Sequence, residues 1–360
     1  MNKPKILYVI PTLKKDGAEV QISNLINNID KFEIEIFTFD IYENGDSIRK
    51  MLGDVMVYSK KGFSNIFYLY KVINSNKYKI VHSHLPKADF YVGIIKLLKR
   101  NFLHLISVHA QYGTRTNESR LKYLIFNFFW KIILNRSNGI IAISKKIYKW
   151  LKHERNINPN LITTIHYGIK IHKRTKKSFK NKTIGMAARM LPWKGWVQVI
   201  DTVAILKKQN IDFQLLFAGS DDINYKKTLV DIVNQRGIED QVSFHNHYEL
   251  IDEFFSQIDL FLFLSESEGF GLIVLEAIEN NIPVICSNIE PLSEFVDNTY
   301  ETLVDSTNSE KIANLTKNIL ENEDFRSKVQ TKQKEKIIEK FSINTASLNH
   351  ENYYIKLLND

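Results

Sequence analysis

The chain has 360 residues, of which 44% are hydrophobic and 25% charged, with one cysteine and a formal net charge of +9. This balance is globular and argues against a disordered chain, a collagen or a disulfide scaffold; at about 150 residues per domain the length predicts two domains. Cys286 alone can form neither an internal disulfide nor a cysteine-cluster metal site, and it reads as a small buried hydrophobe.

The opening MNKPKILYVI runs from two lysines into a strand without a small-residue cleavage site, so it reads as a first strand and not a signal peptide. No stretch reaches the roughly 18 uncharged apolar residues that span a bilayer. Both observations predict a cytoplasmic protein. KILYVIPT, EIEIFTFD, IVHSHL, LISVHA and GIIAIS then read as strands, alternating with helices at Glu19–Ile29, Asn65–Asn74, Lys87–Lys99 and Leu121–Leu134. The pattern restarts with TIGMAAR, DFQLLFAG, VSFHN, LFLFLS and PVICSN. Strands apolar on both faces and separated by helices predict parallel sheets between helical layers. The expected architecture is two Rossmann-like, doubly wound α/β domains facing a central cleft. They would cover 1–172 and 183–344, with a basic linker at 173–182 and a final helix at 345–360 crossing back to the first domain. There is no repeat and no low-complexity tract.

Charge divides along the same lines. Residues 1–172 hold 27 Lys/Arg against 12 Asp/Glu, residues 173–182 hold six cations and no acid, and residues 183–360 hold 16 against 28. No helix-turn-helix, zinc-finger or RNP pattern supports nucleic acid as a partner. An anionic membrane surface or an anionic lipid-linked substrate suits the basic half, and so does a lysine-rich face that serves solubility alone. LKYLIFNFFWKIIL (121–134) is apolar on most faces. It fits a helix buried between sheet and neighbours, or one lying in a membrane interface with aromatic rings at headgroup level. KKGFSNIFYLYK (60–71) poses the same choice.

ESEGFGLIVLEAIENNIPVI (266–285) carries the most specific chemistry. A strand ends near Ser265, and a helix starts near Gly271. Glu268 and the amides of Phe270, Gly271 and Leu272 then meet at a helix N-terminus, where free N–H groups and the dipole favour phosphate or sugar oxygens. Glycine at 269 and 271 permits close backbone approach. Glu276, a turn further on, can accept two hydrogen bonds from a ribose diol. Arg189 and Lys194 can bracket a pyrophosphate from a strand-to-helix loop; preorganised donors of this kind contribute about 3–4 kcal/mol each in a transition state. No Asp-x-Asp motif occurs, and neither His82-Ser-His84 nor His245-Asn-His247 brings a clear third zinc ligand. Neither metal nor cofactor is expected. VIPTLKKDGAE has one glycine, which excludes a dinucleotide-binding turn.

Glu-x7-Glu around GFGL resembles the signature of retaining GT-B glycosyltransferases of family four, the group 1 enzymes of bacterial polysaccharide and lipopolysaccharide synthesis. Further elements follow in that family's order. DGAE (Asp16–Glu19), with Gly17, is similar to its GGAE loop, SVHA (Ser107–Ala110) to its histidine-bearing strand end, and ARMLPWKG (Ala188–Gly195) to its Arg-x4-Lys-Gly pair. PVICSNIEPLSE (283–294) is similar to its next strand and loop. Asp16 stands for the first glycine, and Tyr167 in HYGI (166–169) stands where asparagine is common. The resemblance implies that Glu268 contacts donor-sugar hydroxyls, that Glu276 holds the ribose, and that His109 reaches the sugar from the other domain. It also implies metal-free, retaining transfer by front-face attack, from a nucleoside diphosphate sugar, with UDP the commonest base, to a glycan or lipid-linked glycan. Base contacts are expected near Phe244–Tyr248. A non-catalytic glycan-binding relative and a nucleotide-sugar epimerase or hydrolase are the alternatives.

Overall fold

The computed structural model describes all residues except 1–2, 15–16, 41–45, 61–64, 76–77, 99–100, 113–119, 173–181, 247 and 249–250. Most of the basic 173–182 stretch, Asp16 and His247 therefore lie outside the described residues. The chain forms two compact units, one of Met1–Lys170 with Ile343–Asp360, the other of Ile171–Ser342.

The first unit is a seven-stranded parallel sheet. Its strands are β1 (Lys5–Thr12), β2 (Glu33–Asp40), β3 (Val57–Ser59), β4 (Ile80–His84), β5 (Leu103–Val108), β6 (Gly139–Ala142) and β7 (Ile162–Thr164), in the order β3-β2-β1-β4-β5-β6-β7. Its central strands are buried on both faces: every residue of β4 and β6 is buried, as a sheet covered by helices on both sides requires. The helix Ile343–Asn359 packs into this unit. Its Tyr354 is buried among Ile6, Tyr8, Phe32 and Ile80, and Glu351 Oε1 accepts the amides of Asp30 and Lys31, each at 2.7 Å.

The second unit holds β8 (Thr183–Ala187), β9 (Gln214–Ala218), β10 (Val242–His245), β11 (Leu260–Phe263), β12 (Val284–Ser287) and β13 (Leu303–Val304), ordered β10-β9-β8-β11-β12-β13 and all parallel. Trp196, Phe213 and Phe217 fill one side of it. On β12, the buried Gln333 side chain accepts from Val284 N–H at 3.0 Å and donates to Val284 O at 2.8 Å, acting as a short strand pairing. Cys286 is buried, and burial pushes its thiol well above the usual range.

The helix Arg120–Arg136 corrects one expectation. Trp130 and Leu134 are buried, yet Leu121, Leu124, Ile125, Phe128 and Phe129 are all exposed. It is not a helix enclosed by sheet and neighbours. Its inner face is fixed by Trp130 Nε1, which donates to the buried Asp89 Oδ2 at 3.0 Å. Asp89 also accepts from Ser83 Oγ at 2.6 Å, and Ser83 lies 2.9 Å from His104 Nε2. Burial pushes the Asp89 carboxyl up to about 7 against these two donors.

Candidate functional site

In the second unit β8 and β11 are neighbours, and the chain runs outward from them in both directions. Loops leaving the carboxyl ends of such a pair diverge, so a crevice opens there. The loop after β8 is pinned on both sides of Arg189: Ala188 N–H donates to Ala218 O at 3.0 Å and Met190 N–H to Ser220 O at 2.8 Å. Met190 points into the core, which turns Arg189 to solvent. Its guanidinium makes no hydrogen bond or ion pair with the described residues.

The two loops are stitched together. Gly195 has φ of 89°, and a Cβ there would sit 2.2 Å from Leu264 O, so only glycine lets the chain pass. Glu266 N–H donates to Trp193 O at 2.9 Å. Lys194 Nζ lies 2.6 Å from Glu268 Oε1, with side-chain exposures of only 15% and 9%. Gly271, at φ 90°, caps the helix Leu272–Glu279, and a Cβ there would meet Leu292 at 2.5 Å. The amides of Gly271 and Leu272 have no acceptor among the described residues, as the first turn of a helix leaves them. The Phe270 side chain is buried against Phe295, their ring centroids 5.4 Å apart. It anchors the turn, so any ligand contact from Phe270 is confined to its backbone. Glu276 is partly buried; loss of hydration, then the charges of Asp252 and Glu279, push its carboxyl up to about 7. The structure thus pairs Lys194 with Glu268 just ahead of the open amides of Gly271 and Leu272, with Glu276 one turn into the same helix and Arg189 exposed on the loop that carries Lys194. Beyond β10, the His245 and Tyr248 rings stack with centroids 5.5 Å apart.

In the first unit the corresponding switch lies between β1 and β4. Gly17 is exposed at the start of the helix Gly17–Ile26, while Glu19, within the first turn, is buried. His109 follows β5 and is nearly buried at 8% exposure. Both of its ring nitrogens are engaged: Nε2 lies 3.1 Å from His84 Nδ1, and Nδ1 meets the Tyr167 hydroxyl. Burial, with the neighbouring His350, lowers its basicity to a pKa of about 3, so the imidazole is neutral. It can exchange hydrogen bonds with hydroxyls but supplies no cation. His82 is equally committed, through Nδ1 to the Tyr354 hydroxyl at 3.0 Å and Nε2 to Ser107 Oγ at 2.8 Å. Both His82 nitrogens therefore face protein partners. Among the described residues no group of three or more His, Cys, Asp or Glu could hold a metal ion. His84 Nε2 and Gln21 Oε1 are buried without partners and line one small cavity with His109 and Tyr167. Sequence reasoning missed Tyr167 and His84 as partners of His109; the alternation of His82 and His84 along one strand was the available signal.

The model of group 1 glycosyl transferases matches residues 169–336, and that of glycosyltransferase family 4 matches residues 15–173. The chain belongs to this glycosyltransferase family. An O-antigen biosynthesis glycosyltransferase of Escherichia coli, WclY, is 29% identical over 305 residues, covering 81% of this chain and 82% of its own. The capsular polysaccharide biosynthesis glycosyltransferase CapH of Staphylococcus aureus is 26% identical over 317 residues, covering 82% and 86%. Among solved structures, Anabaena HepE in complex with UDP and glucose superposes with a TM-score of 0.82 at 18% identity, over 98% of this chain and 100% of its own. The fold is therefore GT-B, and the two sheets described above are its two glycosyltransferase domains.

Proposed function

We propose that this glycosyltransferase transfers a hexosyl group from a UDP-sugar, with retention at the anomeric carbon and without a metal, to a hydroxyl of a growing bacterial cell-surface glycan. The glycan is of the O-antigen or capsule type, is carried on a lipid, and is extended at the inner face of the cell membrane. One observation carries the donor half of this reading: an unpartnered Arg189, the Lys194–Glu268 pair and the open amides of Gly271 and Leu272 converge at the switch point of the second sheet. These are donors for a leaving pyrophosphate, preorganised where negative charge grows as the anomeric C–O bond breaks. Glu268 receives sugar hydroxyls, and Glu276 the ribose diol. The acceptor oxygen attacks from the face the phosphate leaves, and its proton passes to that phosphate. His109 supplies a neutral hydrogen-bonding edge for the sugar, which requires Tyr167 to release Nδ1.

The support for the glycan class is the kinship with WclY and CapH, and for the donor the UDP bound by HepE. The excess of cations over residues 1–172 supports an anionic carrier. Calorimetric titration of UDP, GDP and ADP, with and without a chelator, tests the donor site. UDP alone is expected to bind, equally well in chelator, and to lose about a hundredfold in affinity in Arg189→Ala. Binding that needs a divalent cation, or that ignores the substitution, overturns the site as drawn. Proton NMR of the first-formed product tests retention.

A further inference from the structure

The outer face of the helix Arg120–Arg136 is apolar, exposed and unpartnered, and we infer that it is a membrane-docking surface for an anionic lipid bilayer. Leu121 (67% exposed), Leu124, Ile125, Phe128 (62%) and Phe129 recur at helical spacing and occupy one side of the helix, opposite the buried Trp130 and Leu134. The neighbouring helix Pro86–Leu98 adds exposed Ile94, Leu97 and Leu98. The two stripes are continuous. Ile94 and Leu97 line one groove with Phe129 and Ile132, with a volume of about 370 Å³. Gly93 lets the helices approach this closely, since a Cβ there would meet Ile133 at 2.9 Å. An apolar surface this broad is uncommon on a protein that stays in water.

The charges around it select the occupant. The helix Arg120–Arg136 presents the exposed cations Lys122, Lys131 and Arg136, and its sequence holds no acidic residue. Lys96 and Arg136 border the groove. The one acid of the neighbouring helix, Asp89, is fully buried and faces inward to Ser83 and Trp130. Apolar side chains flanked by cations, with no exposed acid on either helix, match acyl chains beneath anionic headgroups. A two-fold pairing with a second copy would instead set cations against cations. Among the described residues no helix is long and apolar enough to cross a membrane, so the helix lies along the interface. The inference rests on the reading above for the acceptor's nature, and its test is separate from it.

The test is flotation of the full chain with vesicles of phosphatidylcholine alone, or with about one third phosphatidylglycerol. The protein is expected to float with the anionic vesicles and to stay down with the neutral ones. Phe128→Ser with Phe129→Ser should lower partitioning about tenfold or more, and Lys131→Glu with Arg136→Glu should lower it by about fivefold or more per cation. Both pairs are solvent-exposed, and UDP affinity measured on the same samples should be unchanged. Failure of wild type to float with anionic vesicles, or flotation of both variants as complete as that of wild type, overturns the docking surface while leaving the donor site intact. A wild-type dimer that fails to float and that the phenylalanine pair converts to monomer overturns it in favour of a second copy. Loss of UDP binding in wild type counts against the donor site alone.

Discussion

Lys194 and Glu268 neutralise one another across 2.6 Å in a largely desolvated spot, although the proposed function asks each to meet a different part of the donor. In the free protein the lysine is held by a carboxylate; under that proposal it faces a pyrophosphate as well once donor binds. The pair therefore sets a competition. Glu268→Gln is expected to tighten binding of UDP itself by about tenfold, because Lys194 then answers to the phosphates alone, while sugar transfer falls about a hundredfold. Lys194→Met should weaken both. Calorimetry beside a transfer assay distinguishes the cases, and a Glu268→Gln variant that loses UDP affinity would refute the competition.

If Glu276 holds the ribose as proposed, nucleotide binding is expected to depend on pH. Its carboxyl titrates at about 7 in the free protein, and only the ionised form accepts both hydrogens of a diol. UDP affinity should rise as pH increases through about 7, and Glu276→Gln should be weaker and flat across the same range. Isothermal titrations at a series of pH values read this directly.

The same group has the opposite effect on stability. Glu276 and Asp89 both hold protons more tightly when folded than their ordinary values of 4.5 and 3.8. Folding therefore takes up protons, and each contribution to stability is complete below the ordinary value and lost as pH rises through about 7. Glu276→Gln and Asp89→Asn should each flatten the fall in stability between about pH 4 and 7, by on the order of 2 kcal/mol per site, followed through Tm. A wild-type Tm that climbs across that window would contradict both assignments.

His109 is expected to stay neutral from about pH 5 to 9, since burial lowers its pKa to about 3. Its ring resonances should not titrate by NMR in that range. Tyr167→Phe frees Nδ1 and should change kcat for transfer without altering UDP affinity.

Gln333 stands in for a strand partner on β12. Gln333→Ala leaves two buried backbone groups of Val284 unpaired and should cost about 2–4 kcal/mol, read as a lowered midpoint in urea.

The long central strands and the donor loop were legible because each is written in consecutive residues. KILYVIPT and EIEIFTFD show runs that only a doubly covered sheet explains, and GFGL followed by LIVLEAIE marks a turn entering a helix. Three strands escaped: Val57–Ser59, Ile162–Thr164 and Leu303–Val304. Each has two or three residues and lies at an edge, too short for any period to appear. The partners of His109 escaped for another reason. His84 is 25 positions away and Tyr167 is 58, and only the sheet order brings them together. The outer face of Arg120–Arg136 was ambiguous because an all-round apolar helix reads alike whether protein or lipid covers its second side.

The helix Ile343–Asn359 supplies Tyr354 to the core built by Tyr8 and His82, and Glu351 to the turn at Asp30. Its residues are synthesised more than 170 positions after Lys170, the last of the contiguous stretch that makes up the rest of that unit. While the ribosome is still making the second unit, the strands of the first have emerged with the polar centre of their sheet unfilled. The second domain can close as soon as it emerges, whereas the first must wait. The unit whose strands are translated first is thus closed by a segment translated after the whole of the second unit, and a released chain ending at Ser342 should carry a folded second sheet beside an open first one.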